Sequence, residues 1–299
     1  MGSRFDITVV AEDKQIAQQH IDNAIAEISR IEYLISDWKA ESQVSEVNRN
    51  AGIKPVKVDR ELFDLTKRSL YFSAISDGAF DISYAAMDKI WKFDGSMTKM
   101  PNNEEIKAAI SKVGYKNIVL DSLACTIYLQ KSGMKIGFGA MGKGYAADKA
   151  RELMELKGVK GGIINAAGDL TTWGQKLKGK TWRIGVNNPF DEGNYISILN
   201  MKRNAVTTSG SYEKFVTFDG KRYSHIIDPK TGYPATGLIS VTVVGGSAEM
   251  ANGFSTMLMV LGKEKGLELI KKNPEFSCLI VTDTGEVVKS DNFKWKVKI

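Results

Sequence analysis

The sequence predicts an α+β protein, and three observations carry that prediction. Amphipathic helical segments and alternating strand segments both occur, but without the strict β-α-β succession of a doubly wound parallel sheet. The long strand-like stretches cluster late in the chain. No linker, internal repeat or low-complexity tract divides the 299 residues, so a single domain over 1–299, built as two lobes that share strands, fits better than two independent domains.

The elements follow in order. Residues 4–10, RFDITVV, alternate like a half-buried strand. Over 12–35, Ile21, Ile25, Ile28 and Ile35 recur at helical spacing on one face, and Ser36-Asp37-Trp38 ends the helix. Asp59 caps a helix over 59–75, and Asn102 or Asn103 caps a short one carrying Glu104, Glu105 and Lys107. A third long helix runs from about Gly144 to Leu156. Strands are predicted at 161–166, 181–187, 195–207 and 239–245, and helices at 248–261 and 263–272. LIVTD, a Thr284-Gly285 turn and EVVKS close the chain as a hairpin.

Composition narrows the function classes. A 43% hydrophobic, 25% charged chain is ordinary for a soluble globular fold. No apolar run approaches the ~18 residues of a membrane helix. No secretory apolar segment precedes Phe5, and the abrupt start at Met1-Gly2-Ser3 fits a chain whose leader has been removed. The net charge of +6 suits an anionic ligand, but the lysines are scattered and KLKGK at 176–180 has no interleaved aromatics, which argues against nucleic acid. Cys125 and Cys278 have no metal-type spacing and read as buried free thiols.

Five stretches combine glycine with polar groups between apolar runs. In SDGAFDIS, 76–83, Gly78 can bring backbone close to a ligand between Asp77 and Asp81; a helix end and turn explain the same residues. In GFGAMGKGYAADKA, 137–150, glycines lead into a helix whose N-terminus can face phosphate, with Lys143 as a point charge. This is neither a Walker A loop nor a clean dinucleotide fingerprint. In INAAGDL, 164–170, a strand runs into Gly168-Asp169, which either anchors a ligand or closes a turn. In SHIIDPKTGYPA, 224–235, His225 can carry a proton near neutral pH, Asp228 can orient it or touch metal, and Pro229 with Gly232 fixes the turn; a hydrogen-bonded histidine on a strand is the plainer reading. In AEMANGFSTMLMVLG, 248–262, Asn252 and Thr256 share a helix face, where two oxygens can help hold a hard cation such as Mg2+; a buried helix with a back-bonded threonine accounts for them too.

In this order, MGSRFDI, LISDWKAESQVSEVN, DGAFDIS, GAMGKGYAAD, NAAGDL, TTSGSYEKF, HIIDPKTGYP and ANGFSTMLMVLG resemble the ApbE family of FAD:protein FMN transferases. The pair HIIDPKTG and TSGSYE is the most specific part of the match. The resemblance implies an α+β fold with a barrel-like mixed or antiparallel β core and surrounding helices. It implies an enzyme that takes FAD as substrate with Mg2+, moves FMN to a Ser or Thr hydroxyl in the flavinylation motif of an acceptor flavoprotein, and releases AMP. Family members that hydrolyse FAD, or hold it unchanged, supply the alternatives. It also implies a bacterial protein exported to the periplasm or cell surface, touching membrane only through a lipid anchor removed from this chain.

By the same resemblance Met1, Trp38, Ala79, Phe80, Asp81, Lys143, Asp169 and Ile239 fall at flavin-nucleotide contacts. Ala140, Asn252 and Thr256 fall at metal positions and His225 at the catalytic one, with Asp228 expected beside it as a second catalytic residue that orients its ring. Two positions depart from the family pattern: Asn252 and Gly137 stand where aspartate is usual or frequent. An amide oxygen brings no charge to Mg2+, so weaker metal affinity is expected.

Overall fold

In a computed structural model, residues 2–87, 90–191, 193–212 and 214–298 are described. The elements in chain order are β1 (Phe5–Val9), α1 (Lys14–Ile35), α2 (Gln43–Arg49), β2 (Val56–Lys57), α3 (Arg60–Ile75), α4 (Asn103–Ile110), β3 (Ile118–Asp121), β4 (Thr126–Leu129) and α5 (Gly142–Leu156). Then come β5 (Gly161–Ala166), β6 (Asp169–Gly174), β7 (Trp182–Asn187), β8 (Tyr195–Met201), β9 (Ala205–Gly210), β10 (Phe215–Phe218), β11 (Lys221–Ser224), β12 (Leu238–Gly245), α6 (Ala248–Leu261), α7 (Lys263–Lys271), β13 (Ser277–Thr282) and β14 (Val287–Lys289).

The α+β class holds. The central sheet has seven strands in the order β1-β5-β6-β9-β12-β13-β14, with every pairing antiparallel. No sheet closes into a barrel among the described residues: β1 and β14 stand at opposite ends of the strand order. The central strands are covered on both faces. Val241, Val243, Cys278 and Ile280 join the main core with residues of α1, α3, α5 and α6. Val244, Leu279 and Val281, on the other face, pack with Val186, Ile196, Leu199 and Met201 of the β7–β8 hairpin. Two-sided burial is why β13, SCLIVT, is buried at all six positions and carries the unbroken apolar run CLIV rather than an alternation.

Local chemistry sets several boundaries. Asp13 caps α1 by accepting from the Ile16 N–H, and Asn102 with Glu105 forms a reciprocal capping box on α4. Asp59 holds the cap position of α3 without the capping bond; its carboxylate accepts instead from Gln43 Nε2 at 2.6 Å. The strand expected over 195–207 is two strands, because Lys202-Arg203-Asn204 turn the chain between β8 and β9. Cys278 is buried as expected, whereas Cys125 is only half-buried, at a positive φ of 53°.

The α5–α6 contact is close enough to require glycine. A Cβ on Gly144 would lie 2.5 Å from the Ala248 carbonyl oxygen. Gly144→Ala is expected to cost about 1–3 kcal/mol through overpacking. Urea unfolding checks this, and an unchanged midpoint would mean that the two helices part freely.

Candidate active site

A cavity of about 510 Å3 opens where the β5–β6 turn, the end of β9, the start of α5, one face of α6, the 79–85 segment and the His225 strand meet. The turn between β5 and β6 is Ala167-Gly168, both at positive φ (52° and 98°), so Asp169 enters β6 directly opposite Ala166. Asp169 is 2% exposed. Its Oδ1 accepts from Asn252 Nδ2 at 2.6 Å, and Lys143 Nζ lies 3.6 Å from its Oδ2. Because the Asn252 amide nitrogen is committed to Asp169, the amide oxygen is the atom that meets Thr256, whose hydroxyl donates to it at 3.3 Å. Lys143, Asp169, Asn252 and Thr256 thus form one polar cluster from three distant segments.

An oxygen-only donor set beside one carboxylate fits a hard cation such as Mg2+. Ala140 lies on the same wall, in the loop that leads into α5. The cluster is poor in charge: among the described residues no group of three or more His, Cys, Asp or Glu is placed to hold a metal.

Ala79, Phe80 and Asp81 are all buried in the facing wall. Asp81 accepts from Ser83 N–H (2.8 Å), Ser83 Oγ (2.6 Å) and Tyr115 N–H (2.7 Å), while burial still pushes its carboxyl above the usual range. Its oxygens brace the wall. Trp38 stands at the rim, 63% exposed, and Asp37 beside it also lines the cavity. The glycines of the 137–144 loop divide by role. Added Cβ atoms at Gly142 and Gly144 would strike Ile35 and Ala248, so those two serve packing; Gly139 has open space within 4 Å.

His225 follows β11 and is half-buried on the cavity wall. Its N–H donates to the Lys214 carbonyl at 3.0 Å, and its Nδ1 lies 3.2 Å from the same oxygen. A carbonyl only accepts, so Nδ1 carries the proton and Nε2 keeps the lone pair. Burial lowers the ring's pKa below the ordinary value; the bond to the Lys214 carbonyl opposes this in part, and the charges of Lys214 and Lys143 add to the lowering. The ring is therefore neutral at pH 7 and able to accept a proton.

Asp228, expected to orient this ring or touch metal, makes its hydrogen bonds within its own turn. The Asp228 carboxylate accepts from Lys230 N–H at 2.9 Å, and its carbonyl accepts from Thr231 and Gly232. It shapes the turn, while the Lys214 carbonyl faces the ring. Ile239 also lies off the cavity wall; its carbonyl takes the Ser211 N–H at 2.8 Å and so steadies the Thr208–Gly210 end of β9. The Met1 position lies outside the described residues. Asp37 and Tyr84, with Thr208, Ser209 and Gly210 of the TTSGSY stretch, line the cavity without having been given a role from sequence. TTSGSY was part of the family resemblance, yet residue types alone gave its hydroxyls no role. Ser209 Oγ sits 2.8 Å from Ser255 Oγ, which ties β9 to α6.

A cation, a carboxylate–amide–hydroxyl cluster and a neutral histidine around one cavity define a site suited to a phosphate-bearing substrate on an α+β scaffold. The chain belongs to the ApbE family, whose sequence profile matches residues 1–280. An FAD:protein FMN transferase of Klebsiella pneumoniae is 32% identical over 292 residues, covering 97% of this chain and 89% of that protein. One from Salmonella typhimurium is 31% identical, covering 91% of this chain and 79% of its own. Among solved structures, the ApbE protein of Thermotoga maritima superposes with a TM-score of 0.88 at 34% identity, over 98% of this chain and 95% of its own. The apo flavinyl transferase ApbE of Pseudomonas stutzeri gives 0.86 at 28% identity, over 98% and 93%.

Proposed function

We propose that this protein is an FAD:protein FMN transferase that moves FMN from FAD to a serine or threonine hydroxyl of an acceptor flavoprotein and releases AMP. The observation that carries the reading is the convergence of Lys143, Asp169, Asn252, Thr256 and His225 on one cavity, in a chain whose relatives bear that activity's name. The acceptor oxygen attacks the FMN phosphorus, the phosphorus–oxygen bond to AMP breaks, and the hydroxyl proton passes to His225 Nε2. Lys143 offsets charge on the phosphates. Asn252, Thr256 and Ala140, with Asp169 beside them, would hold Mg2+, which supplies positive charge to the pyrophosphate when bound.

Residues 1–299 act as one working unit, two lobes sharing strands across the cavity. The protein acts after export, on exported flavoproteins, and meets the membrane through a lipid anchor; no helix among the described residues is long and apolar enough to cross a membrane.

The test is one reaction read by mass spectrometry: the protein, FAD, Mg2+ and an acceptor domain carrying a Ser/Thr flavinylation motif. The expected result is an acceptor heavier by one FMN, with equimolar AMP, and neither product after chelation. AMP with an unmodified acceptor would reassign the protein as a hydrolase of FAD. Bound, intact FAD with no AMP would make it a flavin-binding protein.

A further inference from the structure

The segment after the 82–86 helical turn packs against His225 from outside the catalytic cluster. Trp91 is 5% exposed, and three of its partners, Tyr223, Gly232 and Tyr233, are remote from it in sequence. Its indole Nε1–H donates to the Gly232 carbonyl at 2.9 Å. Its ring stacks on Tyr223, with centroids 5.8 Å apart and planes 24° from parallel, and meets Tyr233 edge-on at 6.3 Å. Tyr223 lies two residues before His225, and Gly232 seven residues after it. One side chain therefore grips the chain on both sides of the histidine. Two residues further along, Phe93 sets its ring edge-on to the His225 imidazole at 6.3 Å.

The far arm of this grip has little freedom of its own. Gly232 sits at φ +72°, and an added Cβ would lie 2.7 and 2.8 Å from Ile106 and Ile110 of α4. Asp228 N–H donates to Tyr233 O, and Ala235 N–H to Ile226 O, so residues 226–235 fold back as a closed loop. The near arm is weaker. β10 and β11 form a two-stranded sheet that pairs with no other strand among the described residues. Two strands alone are marginally stable in water. What fixes β11, and with it the approach to His225, is the aromatic cluster around Trp91, joined by Val216 and Phe218.

We infer that Trp91 is a positioning residue for His225: it holds the strand entering the histidine and the turn leaving it in one register, and so sets where the imidazole stands in the cavity. The consequence for group transfer rests on the function proposed above, whereas the consequence for the ring does not. The groups that face the ring are the Lys214 carbonyl and ammonium from the β10 side, Lys143 from α5 and the Phe93 ring. If the clamp opens, water reaches the imidazole, while the two lysines keep their charges.

The experiment is an NMR titration of the full chain without FAD. It is clean because the chain has two histidines, His20 and His225, and His225→Gln assigns the signals. In Trp91→Phe, which removes the indole N–H, the His225 titration is expected to move up toward the ordinary value near 6.5, while the His20 curve stays in place. In the transfer assay kcat is expected to fall at least about tenfold with KM for FAD within about twofold, since misplacement of a reacting group acts on turnover. A His225 curve identical to that of the parent overturns the inference, whether or not the parent transfers FMN. So does a fall in kcat with the ring's titration unmoved. If Trp91→Phe does not fold, Tyr223→Leu removes the stacking and leaves the indole bond to Gly232; it must move the same His225 signals, and an unmoved curve there overturns the inference equally.

Discussion

His225→Ala is expected to slow FMN transfer by about 10²–10⁴-fold, the usual worth of a positioned general base. KM for FAD should change little, because the alanine protein keeps the Lys143–Asp169–Asn252 cluster. The parent's pH profile carries an independent signature. Burial holds the ring's pKa below its ordinary value, so the neutral, proton-accepting form prevails at pH 7 and is lost only as pH falls through that lowered pKa. The acid limb of kcat/KM should therefore lie below about 6.5 and vanish in the alanine variant. A variant that transfers FMN at the parent rate, or one that keeps the acid limb, removes His225 from the chemistry and leaves the acceptor's proton to water.

Much of the scaffold was legible because its signals are local. The helix expected over 248–261 is α6 to the residue, the 263–272 helix ends one residue earlier, and the boundary between them is local too, a single Gly262 at φ +82°. The β10–β11 hairpin was missed although Asp219-Gly220, both at positive φ, is a hairpin-turn signature. Its strands are short, and their mixture of lysine, arginine and aromatics hid the alternation. Strands β8 and β9 merged in the reading because apolar residues continue on both sides of the Lys202–Asn204 turn.

The site was legible as residue types but not as partnerships. Sequence placed Asn252 and Thr256 on one helix face, as they are, but nothing local tells that Asn252 will find Asp169, 83 residues away. Asp228 illustrates the opposite failure. Its position three residues after His225 invited a pairing, but its Oδ1 and its carbonyl oxygen bond the N–H groups of Lys230, Thr231 and Gly232 in its own turn. Trp91 carried no signal, since its role depends on packing between segments more than 130 residues apart.

The second large effect is expected from Asn252→Asp. The substitution puts a carboxylate where an amide now donates to Asp169 at 2.6 Å. Without a cation, two carboxylates then face each other at a buried position, one hydrogen bond is lost, and one acid must hold a proton or repel its neighbour. The loss should be about 1–3 kcal/mol, the cost of a buried polar group left without its partner. Lys143, 3.6 Å from Asp169, offsets part of it. With Mg2+ the sign reverses. The second carboxylate adds charge to an oxygen set that now has one, so affinity for the ion rises, and a ligand bound only by the folded state stabilises it in proportion to ln(1 + [L]/Kd). In a thermal melt the variant should thus unfold at a lower temperature than the parent in chelator, and gain more than the parent on titration with MgCl2, FAD being absent throughout. Equal gains in the two proteins would mean that position 252 does not face the ion; the cluster of Lys143, Asp169 and Asn252 would then act as a fixed hydrogen-bonded wall, with Lys143 left to meet the phosphates alone.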